Sequence, residues 1–493
     1  MGTGGQPVVV CVVGAGTAAL EGLMSARARL GPLVELRLVA PDREFRYRPM
    51  DPDSPFRPAR ERGLKIADVA EEVDARWIAD RADIVDESER IVITREGDVV
   101  HFDYLLLAPG ERSARALRQG QVWARGADPG FLDETIQAMA SAEASSVAVV
   151  VPRGARWPLP GYELALVLAW SKVADSSSVT LLTAEERPLA AFGSQASELV
   201  EHELAAAGVK VVVGVEVVDA PDKDGRGPGP VGLEILAEEP GEAALPAKPT
   251  DPARPRVNPD TPELEFDRLI SLPTVVGPQI AGVPVDPLGL VGIDETLRVW
   301  ESERIWAAGG CVSAALEHSA LSARQADGAV EAMASVITGN AERHTAPDLT
   351  GVILKGQRDR WLVENPVGTR EPSTRCLWWP PGRAVGHMLA QRIAAWDPRV
   401  EAIPASLPEG LIVSLPVALG HQVSAPAPIG ADTRKARLRE IENRQSMAVR
   451  RKEAEAEAEL RTMSSDLRAL AERQEATIKE LRQHGYLRDR RPQ

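Results

Sequence analysis

Val8 to Val13 is an unbroken apolar run, mostly β-branched and of strand length. It stops at Gly14-Ala15-Gly16 and gives way to an Ala/Leu-rich stretch, Thr17 to Leu30, that reads as a helix; Val34 to Val39 reads as a second strand. Strand, glycine turn, helix and strand make a βαβ unit, whose strands run parallel with a right-handed crossover. Ile91 to Phe102 reads as a hairpin around Glu96-Gly97-Asp98 and feeds Tyr104 to Ala108, a buried strand ending at Pro109-Gly110. The pattern then recurs. Ser146 to Val151 reads as a strand, Tyr162 to Val173 as a helix, Ser178 to Thr183 as a strand, Glu186 to Ala207 as a helix and Val209 to Val213 as a strand. A duplicated βαβ arrangement is the main architectural expectation.

Pro221 to Pro262 interrupts this pattern with a density of Pro and Gly that builds no core, so it reads as a mobile insertion in a hairpin. Folding resumes at Leu264. Arg304 to Ala308 is a short strand, followed by Gly309-Gly310 and a helix carrying Leu321, Ala326, Val330 and Met333. Residues 350 to 420 are rich in Trp and Pro, and Ser424 to Gly430 is a Pro/Ala linker. From Asp432 to Gln483 there is neither Pro nor Gly; Leu460, Met463, Leu467 and Leu470 keep 3-4 spacing, which fits a long helix, either a coiled coil or a solvated single helix.

Composition narrows the function. The chain has 493 residues, room for about three domains at roughly 150 residues each. Its 57 basic and 72 acidic residues leave a net charge of −15, which argues against nucleic acid as the partner. No apolar run reaches the roughly 18 residues that a membrane span needs, and no signal peptide is read at the start. Cys11, Cys311 and Cys376 form no CxxC pair, which excludes a disulfide framework and a local redox dithiol and points to a reduced, cytoplasmic compartment. The seven histidines show no HxxxH or HExxH spacing, so no metal site is expected.

Gly14-Ala15-Gly16-Thr17-Ala18-Ala19 is a G-x-G-x-x-A turn between a strand and a helix. The first glycine permits the tight turn, the second lets a pyrophosphate approach the backbone, and the small third residue lets helix and strand pack closely. The helix N-terminus adds free N–H groups and partial positive charge. The acid that reads a ribose normally ends the second strand, where Val39-Ala40 stand instead; Asp42 or Glu44 would then serve from the loop, or both are solvated charges.

Several motifs occur in order: Phe45-Arg46-Tyr47-Arg48-Pro49, Asp103 to Gly110, Trp157 to Ala165, Ala307-Ala308-Gly309, Gln325-Ala326-Asp327 and Leu377 to Gly382. Together they resemble bacterial FAD-dependent pyridine-nucleotide oxidoreductases related to sulfide:quinone reductases and type II NADH dehydrogenases, over about residues 7 to 395. The resemblance implies an α/β fold of two Rossmann-like dinucleotide-binding domains. The FAD domain would be discontinuous, 7–145 and 264–345. An NAD(P)H-binding-like domain would span 146–263, with the Pro-rich insertion at about 221–262. A C-terminal module (346–420), a linker (421–431) and the long helix (432–484) would follow. FAD is the implied cofactor, with NAD(P)H beside it. The partners would be a small electron acceptor such as a quinone, and a second copy or a protein partner met through the helix.

Residue by residue, Gly14, Gly16 and Thr17, with Ala18 beside them, match the FAD pyrophosphate loop. Ala108, Pro109 and Gly110 match the strand end beside the FAD, with proline where threonine is frequent. Gly309 matches the second FAD glycine, but Gly310 stands where an acid usually accepts a hydrogen bond from the ribityl chain. Such a charge-assisted bond is worth about 1.5–3 kcal/mol. Glu317, Ser319 and Ala320 replace positions that in relatives tend to be lysine and glycines. In the second loop the three glycine positions are Arg156, Pro158 and Gly161; either Arg153 and Arg156 bind phosphate directly, or the loop is closed. Glu185 falls where a ribose acid would, and reads better as a surface glutamate leading a helix.

Glu163 matches a glutamate lying against the flavin, where a raised pKa would let it relay protons; alternatively the helix dipole stabilises it. Cys311 is either a thiol activated at a helix N-terminus or a small buried residue, the better reading, and Cys376 reads as packing. Trp378-Trp379 is a packing corner or a quinone edge. Two functions follow: an FAD oxidoreductase passing electrons from NAD(P)H to a small acceptor, or a catalytically degenerate scaffold acting through its C-terminal helix. Sulfide chemistry proper needs paired cysteines.

Overall fold

The computed structural model describes residues 7–46, 63–124, 130–171, 177–192, 194–219, 231–236, 263–314, 318–339, 352–354, 360–362, 388–394 and 439. Contacts divide the chain into residues 1–94 with 99–429, and residues 95–98 with 430–493; both dinucleotide-type layers lie in the first unit. Motif residues 47–49, Glu317, Cys376, Trp378-Trp379, the linker at 421–431 and the 432–484 helix fall outside the described residues, except for position 439, as does most of the 346–420 module.

The first layer is a five-stranded parallel sheet in the order Ile305–Ala307, Tyr104–Leu107, β1 (Val8–Val13), β2 (Val34–Val39), Ala75–Ile78. The central strands are apolar because helices cover the sheet: Val10, Val12, Leu36, Leu38 and Leu105 to Leu107 are buried. Helix α1 (Thr17–Leu30) packs on the helix Ser319–Thr338. Gly22 lets α1 lie close on the sheet, since a Cβ there would crowd Leu106 Cδ2 of the strand Tyr104–Leu107, while Ala326 and Val330 of the facing helix would stay at contact distance. Ser25 Oγ donates to Asp327 at 2.5 Å, and Arg29 pairs with the same carboxylate at 3.2 Å. The short helix Met388–Ala394 also joins this core through Leu389 and Ile393. Buried Glu21 accepts the N–H groups of Met388 and Leu389 at 2.7 and 2.8 Å.

The second layer repeats the design: Gln121–Val122, Arg268–Ser271, Ser146–Val151, Ser178–Thr183 and Val209–Val212, all parallel. This sheet crosses both expected boundaries, at 145 and at 264. Its edge strand is supplied by the incoming chain and its Arg268–Ser271 strand by the returning one, pairings that no local pattern announces. An antiparallel ribbon, Arg112–Ala114 against Thr274–Val276, carries the chain between the layers.

The strands at 8–13, 34–39, 146–151 and 178–183 and helix α1 match expectation to the residue. Three corrections stand beside them. The second-layer helix runs Leu159–Trp170, not 162 to 173, because Pro158 and Pro160 sit at its start, where a missing N–H costs nothing. The expected helix from Glu186 to Ala207 is a 3-10 turn, Ala190–Phe192, and a helix, Ser194–Ala206; Leu189 has φ 52°, which breaks helical continuity. The Pro-rich insertion contains a strand, Val231–Leu236, paired antiparallel with Glu216–Asp219 and Glu263–Phe266; its remainder, 220–230 and 237–262, lies outside the described residues. Among the described residues no helix is long and apolar enough to cross a membrane, and no cluster is suited to a metal ion.

Candidate dinucleotide cleft

The glycine turn is fixed by backbone. Gly14 has φ +117°, its N–H donates to Val39 O at 2.9 Å, and a Cβ on it would stand 2.1 Å from Ala108 O. Gly14 therefore serves the crossing of three strand ends. Gly16 is different. It has φ −80° and ψ −174°, caps α1, and a Cβ on it would meet nothing within 4 Å. No side chain caps α1 and its first turn, which includes Thr17 and Ala18, holds no acidic residue. The first-turn amides of a helix lack intrahelical acceptors, so this end faces an open cradle with the electrostatics an anion needs.

The cradle is the floor of a cleft of about 360 Å³. Gly14, Gly16, Asp42, Pro109, Gly110 and Glu111 line it, and Arg46, Arg81 and Arg112 add cationic groups. Asp42 is exposed at the β2 side. Glu44 also lines the cleft but is paired with Arg46 at 2.8 Å. Ala108 is buried below the cleft, its N–H tied to Val13 O. The donor set suits a dinucleotide: an open helix start for a diphosphate, three arginines offset by Asp42, Glu44 and Glu111, and carboxylates able to accept from sugar hydroxyls.

Gly309 and Gly310 form a buried 3-10 turn. Gly309 has φ +78°, its N–H donates to Gln325 Oε1 at 2.9 Å, and it lies close to Ala18 and Ser322. The Gln325-Ala326-Asp327 motif thus does fold work: Gln325 holds Gly309 and Asp327 holds α1.

The second glycine position is built differently. Pro158 and Pro160 remove two amides from the start of the Leu159–Trp170 helix, and Gly161 is a packing glycine, its Cβ position 2.5 Å from Val151 Cγ2. Arg156 turns away from that helix end. It donates to Glu111 at 2.6 Å, Gly310 O at 2.7 Å, Val312 O at 2.9 Å and Ala314 O at 3.1 Å. Trp157 meets Phe192 edge to face at 5.9 Å and lies tilted over His318 at 4.5 Å. Arg153 pairs with Glu216 at 3.5 Å. Of the two readings of this loop, direct phosphate binding by Arg156 is disfavoured, because four protein acceptors hold its guanidinium and it is 7% exposed.

Glu185 corrects its reading as a surface residue. Its carboxylate accepts from Tyr162 at 2.5 Å, and burial pushes its pKa up. Glu163 is fully buried in the Leu159–Trp170 helix and is not among the residues lining the cleft. Cys11 and Cys311 are buried, with both thiols pushed up to about 12 by desolvation, so neither is a thiolate near neutrality. The residue that sequence reasoning missed is Glu111, a cleft-lining carboxylate that reaches the second layer through Arg156.

The family model described as pyridine nucleotide-disulphide oxidoreductase matches residues 8–332. Among solved structures, the sulfide:quinone oxidoreductase of Aquifex aeolicus is similar at 18% identity and TM-score 0.58, over 72% of this chain and 83% of that one. The water-forming NADH oxidase of Lactobacillus brevis is similar at 15% identity and TM-score 0.46, over 72% and 74%. None of the curated proteins matches the sequence.

Proposed function

The chain belongs to the pyridine nucleotide-disulphide oxidoreductase family and is an FAD-dependent oxidoreductase; we propose that its cleft over Gly16 holds the FAD and that the chain passes electrons from NAD(P)H to a small acceptor such as a quinone. The observation that carries this is the open, uncapped start of α1 beneath a cleft of about 360 Å³. In this reading the amides at Thr17 and Ala18 receive the diphosphate, Asp42 takes the adenosine ribose, and Pro109 and Gly110 wall the path onward. Bound flavin supplies reversible two-electron acceptance. Glu163, buried and off the cleft lining, takes no proton-relay role in this reading.

A second reading of the electron source is favoured by the second loop. Two prolines, Trp157 and the engaged Arg156 leave no diphosphate grip of the glycine-loop kind. A nicotinamide donor then docks without such a grip, or another reductant serves. Anaerobic mixing of the FAD-loaded protein with NADH or NADPH decides. Bleaching of the flavin bands supports the nicotinamide donor. Bands that persist with both, yet bleach with dithionite, support the second reading. Sulfide oxidation through paired cysteines has no support in the two described thiols, which are buried and protonated.

A further inference from the structure

Two carboxylates flank the glycine turn. Asp42 follows β2, and Glu111 follows the strand Tyr104–Leu107; β1 and its turn lie between those two strands. Ligands of open α/β sheets lie across the carboxyl ends of the strands. A dinucleotide whose diphosphate sits on α1 therefore extends toward Asp42 on one side and toward Glu111 on the other. FAD carries a polyol on each side of its diphosphate, a ribose and the ribityl chain, and each needs hydrogen-bond acceptors.

Glu111 is built into place. Its side chain is 16% exposed, and Oε2 accepts from Arg156, itself 7% exposed and anchored on the carbonyls of Gly310, Val312 and Ala314. Position 310 lacks the expected acid, and the reason is visible. A Cβ at 310 would stand 3.1 Å from Glu111 Cγ and 3.2 Å from its carboxyl carbon. The Glu111 side chain occupies the volume into which an acid at 310 would project. Gly310 has no positive φ, so it is glycine for space and not for backbone.

We propose that Glu111, held by Arg156, is the acceptor for the ribityl hydroxyls of FAD, so that the acid has moved from position 310 to the neighbouring strand end. This rests on the reading of the cleft as the FAD site. The test is FAD and ADP affinity of the apoprotein by flavin-fluorescence quenching and calorimetry; ADP lacks the ribityl chain. Glu111→Gln and Glu111→Ala weaken FAD by about 10–100-fold and leave ADP unchanged. Gly310→Asp alone also weakens FAD, because two carboxylates crowd one volume. Gly310→Asp in the Glu111→Ala background restores FAD to within about threefold of the original chain. Equal loss of FAD and ADP affinity, or no rescue in the double variant, overturns the proposal. Should Glu111→Ala fail to fold, Glu111→Gln carries the FAD-against-ADP comparison. An original chain that binds FAD with unaffected Glu111 variants overturns this inference alone; one that binds no FAD overturns the functional reading as well.

Discussion

Gly14 and Gly16 stand two residues apart and do separate jobs, which paired alanine substitutions expose. At Gly14 an alanine must adopt φ +117°, and its Cβ lands 2.1 Å from Ala108 O. The backbone strain costs about 1–3 kcal/mol and the forced shift of a packed strand end about 1–3 more. A loss near 4 kcal/mol lowers Tm by on the order of 10 °C in a domain of this kind. At Gly16 the backbone is ordinary and the Cβ meets nothing within 4 Å. Exchanging glycine for alanine at a helix N-cap costs under about 1 kcal/mol. In the proposed FAD site the methyl instead fills the diphosphate seat. Displacing two charge-assisted amide bonds removes about 3 kcal/mol, near two decades of affinity. Thermal melting without FAD, and FAD titration by fluorescence, read the two effects separately. A Gly16→Ala chain that binds FAD as tightly as the original, or a Gly14→Ala chain that melts unchanged, would refute this division of roles.

Glu21→Ala strips the acceptor from the half-buried amide of Met388 and the buried amide of Leu389 at the start of Met388–Ala394; a loss of about 2–5 kcal/mol follows, with faster hydrogen exchange in that helix and little effect at the cleft. Cys11 and Cys311 are expected to resist thiol reagents at pH 8 in the folded protein and to react on unfolding. Their raised pKa means the unfolded state loses protons first, so stability is full below pH 9 and falls toward pH 12, by about 1.4 kcal/mol per pH unit for each thiol; Cys311→Ala makes the alkaline limb of the Tm profile shallower. Asp267 is held below its ordinary value of 3.8 by donors from Ser145 and Ser146. That contribution is present above pH 3.8 and lost as pH falls through the lower folded value, so Asp267→Asn flattens the acid limb of the same profile.

The sequence exposes what is local. Strands at 8–13 and 34–39 and the intervening helix are legible because apolar runs, glycines and an Ala/Leu stretch coincide with their boundaries. A helix that starts on proline is harder to place, since Pro158 and Pro160 read as loop until their position in a first turn is known. Two-residue Gln121–Val122 carries no periodicity at all and exists only through Arg268–Ser271. The cleft divides in the same way. Gly14 and Gly16 are readable from spacing, whereas Glu111 acquires meaning only from Gly310 and Arg156, which folding brings beside it. Glu185 reads as a surface charge because its partner, Tyr162, comes from the preceding helix.

The central claim is that the turn after β1 grips a diphosphate in an open cleft. Calorimetric titration of the flavin-free protein with FAD tests it most directly, with ADP as competitor. One FAD per chain, displaced by ADP, is the predicted result. No heat and no flavin uptake from a folded protein, with ADP equally silent, would contradict it.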